Sequence, residues 1–323
     1  MAATVLASKS YDLSGGALRE DLRDIIYDIS PMDTIFMTRI GRGTAKSTTH
    51  EWLTDSLTAA AANAQVEGDA FAAGSRALPS RLKNYTQISR KDFEVTGTAE
   101  KVDNAGMNSL MAYHTARAAK ELKRDIEVGL LSSGGATAGG STSARVSAGA
   151  EMWIYRPNHI AASTQTTATT SVPTSGFAKG PLVAGSAVAL TEDKLKLALQ
   201  QAWSCGGETD VILCGPTLYN TISNFTGIAT RFRDVGSRQQ AQIIGAADVY
   251  VSAFGSHNIV LSRWCASDTL FCLDMKTWEV AYLRNFQTVD VAKIGDAERK
   301  MILAEYCLVA KSPSANTKLT AVS

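Results

Sequence analysis

The chain has 323 residues, 45% hydrophobic and 20% charged, and its 32 lysines and arginines against 31 aspartates and glutamates give a formal net charge of +1. That balance demands no polyelectrolyte partner, since a dedicated duplex binder carries a basic excess gathered into a stripe. The length points to about two domains.

In chain order, MAATVLASKSYD has no basic run before its short apolar stretch and is not read as a secretory signal. Leu18, Leu22, Ile25, Ile26 and Ile29 alternate with Arg23, Asp24 and Asp28, predicting a short amphipathic helix that Ser30-Pro31 ends. An apolar segment from Ile35 to Ile40 leads into Gly41-Arg-Gly-Thr-Ala-Lys-Ser47. This resembles a phosphate loop, but Ala45 stands where the glycine before the lysine is required, so a flexible basic connector is the plainer reading. Thr48 to Leu57 and Leu82 to Thr98 are rich in β-branched and aromatic residues, and a small, polar, glycine-bearing stretch separates them. They predict a long hairpin with a flexible tip. A hairpin is marginal alone in water, and nothing obvious in this chain is left to receive it.

Residues 104–133 carry the longest helical signal, with Met107, Met111, His114, Ala118, Leu122, Ile126 and Leu130 on one face. Asn104 is the expected cap, Gly134-Gly135 the expected stop, and Glu121–Arg124 and Lys123–Glu127 the expected surface pairs. Some 28 helical residues would make a rod of roughly 42 Å, a spine with other elements laid across it. Residues 132–149 and 161–176 are Ser/Thr/Gly/Ala-rich tracts read as surface loops, with a short strand, Met152 to Tyr155, between them. The longest apolar run, around Leu182 to Leu190, is broken by Gly185 and Ser186 and falls far below the roughly 18 residues of a membrane span.

From Leu190 the texture becomes α/β. Thr191 precedes the helical run EDKLKLALQQAW, Val211 to Cys214 reads as a buried strand, and Gly215-Pro216 opens a second helix. Strands follow at Asp248–Ala253, Ile259–Leu261, Thr269–Asp274, Trp278–Leu283, Gln287–Ala292 and Met301–Ala310, the last patterned for cover on both faces. Five cysteines (Cys205, Cys214, Cys265, Cys272, Cys307) form no C-x-x-C pair and read as reduced, mostly buried thiols.

The order of these parts resembles the major capsid protein of tailed bacteriophages, the HK97-like fold. Asp28-Ile-Ser30-Pro-Met-Asp33-Thr-Ile-Phe36, His50-Glu51-Trp52 with Asp55-Ser56-Leu57, Phe93 to Ala99, and Glu121-Leu-Lys-Arg124-Asp125 carry the resemblance. So do Arg145 with Gly149 and Trp153-Ile154, and Gly295-Asp296 with Tyr306. Ile35 departs from it, standing where the family pattern has proline, and the Ser/Thr tract after Asn158 reads as an insertion.

The resemblance implies an α+β fold: an N-terminal arm (1–45), an extended β-hairpin loop (46–98), a peripheral domain with spine helix and insertion (99–185), an α/β axial domain (186–275) and closing peripheral strands (276–323). It implies a virion shell subunit, assembled in a host bacterial cytoplasm into hexamers and pentamers around double-stranded DNA, with its hairpin laid on a neighbour. Expected intersubunit contacts are Trp52, Val66, Phe71, Leu78, Tyr85, Arg39, Arg42 and Lys46. The last three also serve for weak, salt-sensitive contact with packaged DNA. Expected partners are further copies of the chain, a portal, a decoration protein and, because no acidic or helical extension precedes Leu18, a separate scaffolding protein. No membrane, metal, cofactor or catalytic residue is expected.

Two competitors stand beside this reading. An encapsulin-type nanocompartment has the same fold and carries cargo in place of a genome. A hydrolase would use Cys205, in Ser204-Cys-Gly-Gly207, as nucleophile and His257 as base; helix capping by the glycines explains that motif without catalysis. His50-Glu51 lacks the second histidine of a metal helix, and nothing marks a lysine–asparagine pair such as Lys83-Asn84 for crosslinking.

Overall fold

A computed structural model describes residues 33–55, 57, 60–68, 78–102, 107–155, 158–161, 176–178, 186–225 and 249–323. The helix expected at 18–29 and the capping residue expected at Asn104 lie outside them.

Two long strands, β10 (Trp278–Val291) and β11 (Ala297–Ala310), pair antiparallel, and β4 (Gln87–Thr96) adds to the far edge of β11. β1 (Gly41–Thr44) joins β10 in parallel, giving the order β1-β10-β11-β4. The expected flexible connector at 41–47 is therefore partly a strand. Its partner lies more than 200 residues away, where local pattern carries no information. The strands expected at Trp278–Leu283 and Gln287–Ala292 are one, with irregular register between Tyr282 and Gln287.

The spine helix α3 runs Leu110–Leu131, 22 residues or about 33 Å, shorter than the sequence predicts. Ser109 caps it, accepting from Ala112 N–H, and Glu100 of α2 (Gly97–Lys101) accepts from Ser109 Oγ and Met111 N–H. Leu122, Ile126 and Leu130 are buried as expected, whereas His114 is only half-buried. Glu127, expected to pair with Lys123 on the surface, is fully buried. Its carboxylate accepts from Phe36 N–H at 2.7 Å and Met37 N–H at 2.8 Å, at the start of α1 (Ile35–Arg39). Burial raises its pKa and the backbone donors oppose the rise. Asp125 pairs with Lys91 of β4 at 2.7 Å, fastening the helix to the sheet. Gly97 and Asp296, apart in sequence, meet here: Gly97 N–H donates to Asp296 O at 2.9 Å, and a Cβ on Gly97 would sit 2.5 Å from the Asp296 side chain.

A second sheet has six strands. They are β5 (His159–Ala161), β6 (Val211–Cys214), β7 (Val249–Ser252), β8 (Gly255–Leu261), β9 (Leu270–Leu273) and β12 (Thr317–Thr320), in the order β5-β12-β9-β6-β8-β7. Alternate residues of β6 and β9 enter two cores: Val211, Leu213, Phe271 and Leu273 share the core under α3, while Ile212, Cys214, Leu270 and Cys272 face α5 (Glu192–Ser204) and α6 (Pro216–Ser223). Thr191 precedes α5 as expected, without a side-chain cap bond. β12 was not legible as a strand, because Lys318 interrupts it with a charge. Yet Lys318 is 2% exposed, its amine donating to Glu151 O.

The strand expected at Met152–Tyr155 is instead a helical turn, α4 (Ala150–Trp153), with Trp153 fully buried. Nor is the 132–149 tract wholly surface, since Ser147 and Ala148 are buried. The second hairpin strand divides at Thr86: β3 (Ser80–Tyr85) pairs with β2 (Thr49–Thr54), and β4 leaves for the large sheet. That half of the hairpin does find a receiver in its own chain.

Candidate functional site

The two-stranded piece β2–β3, with the segment that joins its strands, divides into a root and a tip. Register places Trp52 opposite Leu82 and His50 opposite Asn84, so these four share the inner face. Trp52 sits 5.3 Å from the Trp153 ring, and its Nε1–H donates to Ala310 O at 2.9 Å. Asn84 is fully buried. Its amide donates to Leu308 O at 2.7 Å and Ser147 Oγ at 3.0 Å, and its oxygen accepts from Ala148 N–H at 3.0 Å. The root closes where Thr86 N–H donates to Thr48 O at 2.9 Å. Thr86 Oγ donates to the buried Glu305, which also accepts from Arg145 at 2.6 Å and Arg284 at 2.8 Å. Glu305 is the buried member while both arginines reach solvent, so removing one of them costs less than the roughly 3–5 kcal/mol of breaking a fully buried pair.

The opposite face around Glu51, Leu53 and Arg81, and the described residues of the tip, are wet. Glu51 and Arg81 pair across the strands at 3.2 Å, an exposed bridge worth about 0–1 kcal/mol. Leu53 is 67% exposed, Leu57 98%, Val66 79% and Leu78 90%. Single exposed apolar residues are ordinary, but four on one segment make it a candidate contact surface.

Of the residues expected at contacts, Trp52 lies half-buried in the root and Tyr85 stacks on Phe177 at 4.5 Å, while Val66 and Leu78 stand in solvent on the tip. Phe71 lies outside the described residues. Arg39 ends α1, Arg42 lies on β1 and Lys46 follows it, all exposed, on a segment separate from the tip. Among the described residues none of these three cations is ion-paired. Sequence reasoning missed Leu53, which strand alternation could have placed on the outer face opposite Trp52. It also missed Asn84, Thr86, Glu305 and Phe177, whose partners lie far along the chain.

The Cys205–His257 pair does not assemble. Cys205 Sγ contacts Asn158 Oδ1 at 3.2 Å, while His257 is held by Thr209 O at 2.7 Å and Ser252 Oγ at 2.8 Å, and no hydrogen bond joins the two. Burial lowers the His257 pKa. Cys214, Cys265, Cys272 and Cys307 are buried thiols, Cys214 and Cys307 pushed up to about 12 by desolvation. Among the described residues no cluster of three or more His, Cys, Asp or Glu could hold a metal, and no helix is long and apolar enough to cross a membrane.

The profile of the SU10 major capsid protein family matches residues 4–323 of this chain. The major capsid protein of Escherichia phage Phieco32 is 26% identical over 345 residues, covering 95% of this chain and 94% of that one. Among solved structures, the Cyanophage A-1(L) capsid superposes with a TM-score of 0.67 at 12% identity, covering 95% of this chain and 98% of that one. The capsid of the native GTA particle gives 0.62 at 10% identity, covering 99% and 100%. The architecture is thus the α+β, HK97-like fold of phage capsids. This chain belongs to the SU10 major capsid protein family, whose members form the capsid shell of tailed phages.

Proposed function

We propose that each copy lays its hairpin tip on a neighbouring copy and that repetition of this contact in hexamers and pentamers closes an icosahedral head around double-stranded DNA. The observation that carries the reading is the contrast within β2–β3: a root fixed by Trp52, Asn84 and Thr86, and a tip exposing Leu53, Leu57, Val66 and Leu78. An element held so firmly at one end and so uncovered at the other is shaped to bury its free end elsewhere. Head-to-tail contacts of this kind close rings when the rotation closes.

In this reading 1–45 is an arm, 99–185 and the long strands after 276 the peripheral part, and 186–275 the axial part at capsomer centres. Arg39, Arg42 and Lys46 give diffuse contact with packaged DNA, weakening steeply with salt. Scaffolding, portal and decoration proteins are separate chains, and assembly takes place in the host cytoplasm. Catalysis has no part in it. Electron microscopy of the purified protein and of its particles from infected cells tests this, with nuclease treatment and nucleic-acid extraction. Closed shells around double-stranded DNA are expected. Shells holding only protein cargo would transfer the chain to the nanocompartment reading, and a persistent monomer in physiological salt would overturn both.

A further inference from the structure

The root is gripped from both faces, and the second grip comes from a stretch the sequence reads as featureless. Glu51, Lys83 and Tyr85 lie on the face opposite Trp52 and Leu82. On that face Phe177 stacks on Tyr85, ring centroids 4.5 Å apart and 27° from parallel, with the Lys83 ammonium 4.7 Å over its ring. Gly176 is buried along the free edge of β3, its carbonyl accepting from Lys83 N–H at 2.8 Å. Its φ of +79° and the 2.5 Å that would separate a Cβ from Arg81 O admit only glycine at this approach. Ala178, next in the chain, is 8% exposed and belongs to the core under α3. One tripeptide therefore covers the edge of β3, caps its outer face and is itself rooted in the body.

We propose that residues 176–178 are a strap that sets the direction in which the hairpin leaves its subunit, with Phe177 as the positioning residue. An uncovered β3 would be a two-stranded ribbon hinged at Thr86, with one edge open to wrong pairing. With Trp52 on Trp153 beneath and Phe177 above, the ribbon has one exit angle. The strap is a property of the single chain; its consequence for shell geometry rests on the proposed assembly.

The test uses the full-length chain with Phe177→Ala, Gly176→Ala and, as the conservative control, Phe177→Tyr. Hydrogen exchange on the unassembled subunit is expected to show the Lys83 amide opening roughly three- to tenfold faster in Phe177→Ala and Gly176→Ala, from the lost aromatic pair or the displaced carbonyl. Amides of α3 and β11 should be unchanged, and Phe177→Tyr should behave as wild type. In assembly, the two disruptive variants should give irregular or open shells that Phe177→Tyr does not. Unchanged exchange at Lys83 overturns the strap, as does a general loss of protection in α3 and β11, which would make Phe177 ordinary core. Faster exchange with regular shells would keep the grip and overturn its role in setting the exit angle. If even wild type forms no shells, the shell reading fails while the exchange result still decides the grip.

Discussion

Root and tip of the hairpin are built from the same two strands, yet they follow opposite rules. At the root three buried polar side chains are well answered: Asn84 has three partners beyond its own strand, Thr86 two, and Glu305 three. Among the described residues of the tip the large apolar groups are unanswered, Leu57 and Leu78 being 98% and 90% exposed. Trp52 and Leu53 are adjacent in sequence and belong to different regimes, because successive strand residues face opposite ways. The difference teaches that folding of the subunit ends at the root. On the proposed reading, the described residues beyond it add little to the stability of one copy and act between copies.

Breaking the root should be the most damaging change. Asn84→Leu strands Leu308 O and Ala148 N–H in a dry site and takes one of two partners from Ser147 Oγ, which keeps Leu308 N–H, so at about 1–3 kcal/mol per stranded group the loss should reach about 2–6 kcal/mol. Denaturant unfolding of the variant checks it, and a change below about 1 kcal/mol would break the distinction between root and tip.

A second test places stability in the body by pH. His159 of β5 is buried, its Nε2 hydrogen-bonded to Thr320 Oγ1, and desolvation with the nearby Lys318 charge lowers its pKa from 6.5 to about 3. Between those values the unfolded chain binds the proton and the folded chain does not. The stability gained by keeping this ring neutral is therefore present above pH 6.5 and lost as pH falls towards 3. By pH 4 the loss should be on the order of 3 kcal/mol. Melting curves should show a shallower acid decline in His159→Gln than in wild type; identical declines would contradict the assignment.

The smallest effect should come from the tip. Leu57→Ser, Val66→Ser and Leu78→Ser together should shift subunit stability by less than about 0.5 kcal/mol per site, as exposed positions do. A loss of several kcal/mol would mean that the tip folds back on its own subunit.

The α/β part was the most legible in sequence: α5, β6 and α6 appear almost residue for residue, because period and capping glycine or proline agree with the tertiary packing. β11 was legible from an apolar run broken only by Glu305, buried from Ile302 to Ala310. Misread elements share one cause, a partner far away in sequence. β1 is a strand only because β10 lies beside it, α4 is a helical turn held by its buried Trp153, and Lys318 is tolerated inside β12 because Glu151 receives it. Burial also drew Glu127 inward, since the uncapped N–H groups of α1 need an acceptor. In the candidate site, the exposed apolar tip could be read from its polar surroundings. Phe177 could not, although it is the one aromatic of 161–185 and such isolation is the signal to look for.

The central claim is that the tip binds a neighbour while the root holds it. Replacing residues 57–78 with a short Gly/Ser turn, with both strands and Arg81 kept, tests it most directly. The account predicts a subunit with native circular dichroism and an unfolding midpoint at or above wild type, since shortening a loop lowers its closure entropy. It also predicts no closed particles by electron microscopy under conditions where wild type assembles. Normal particles from this variant, or a chain that no longer folds, would contradict it.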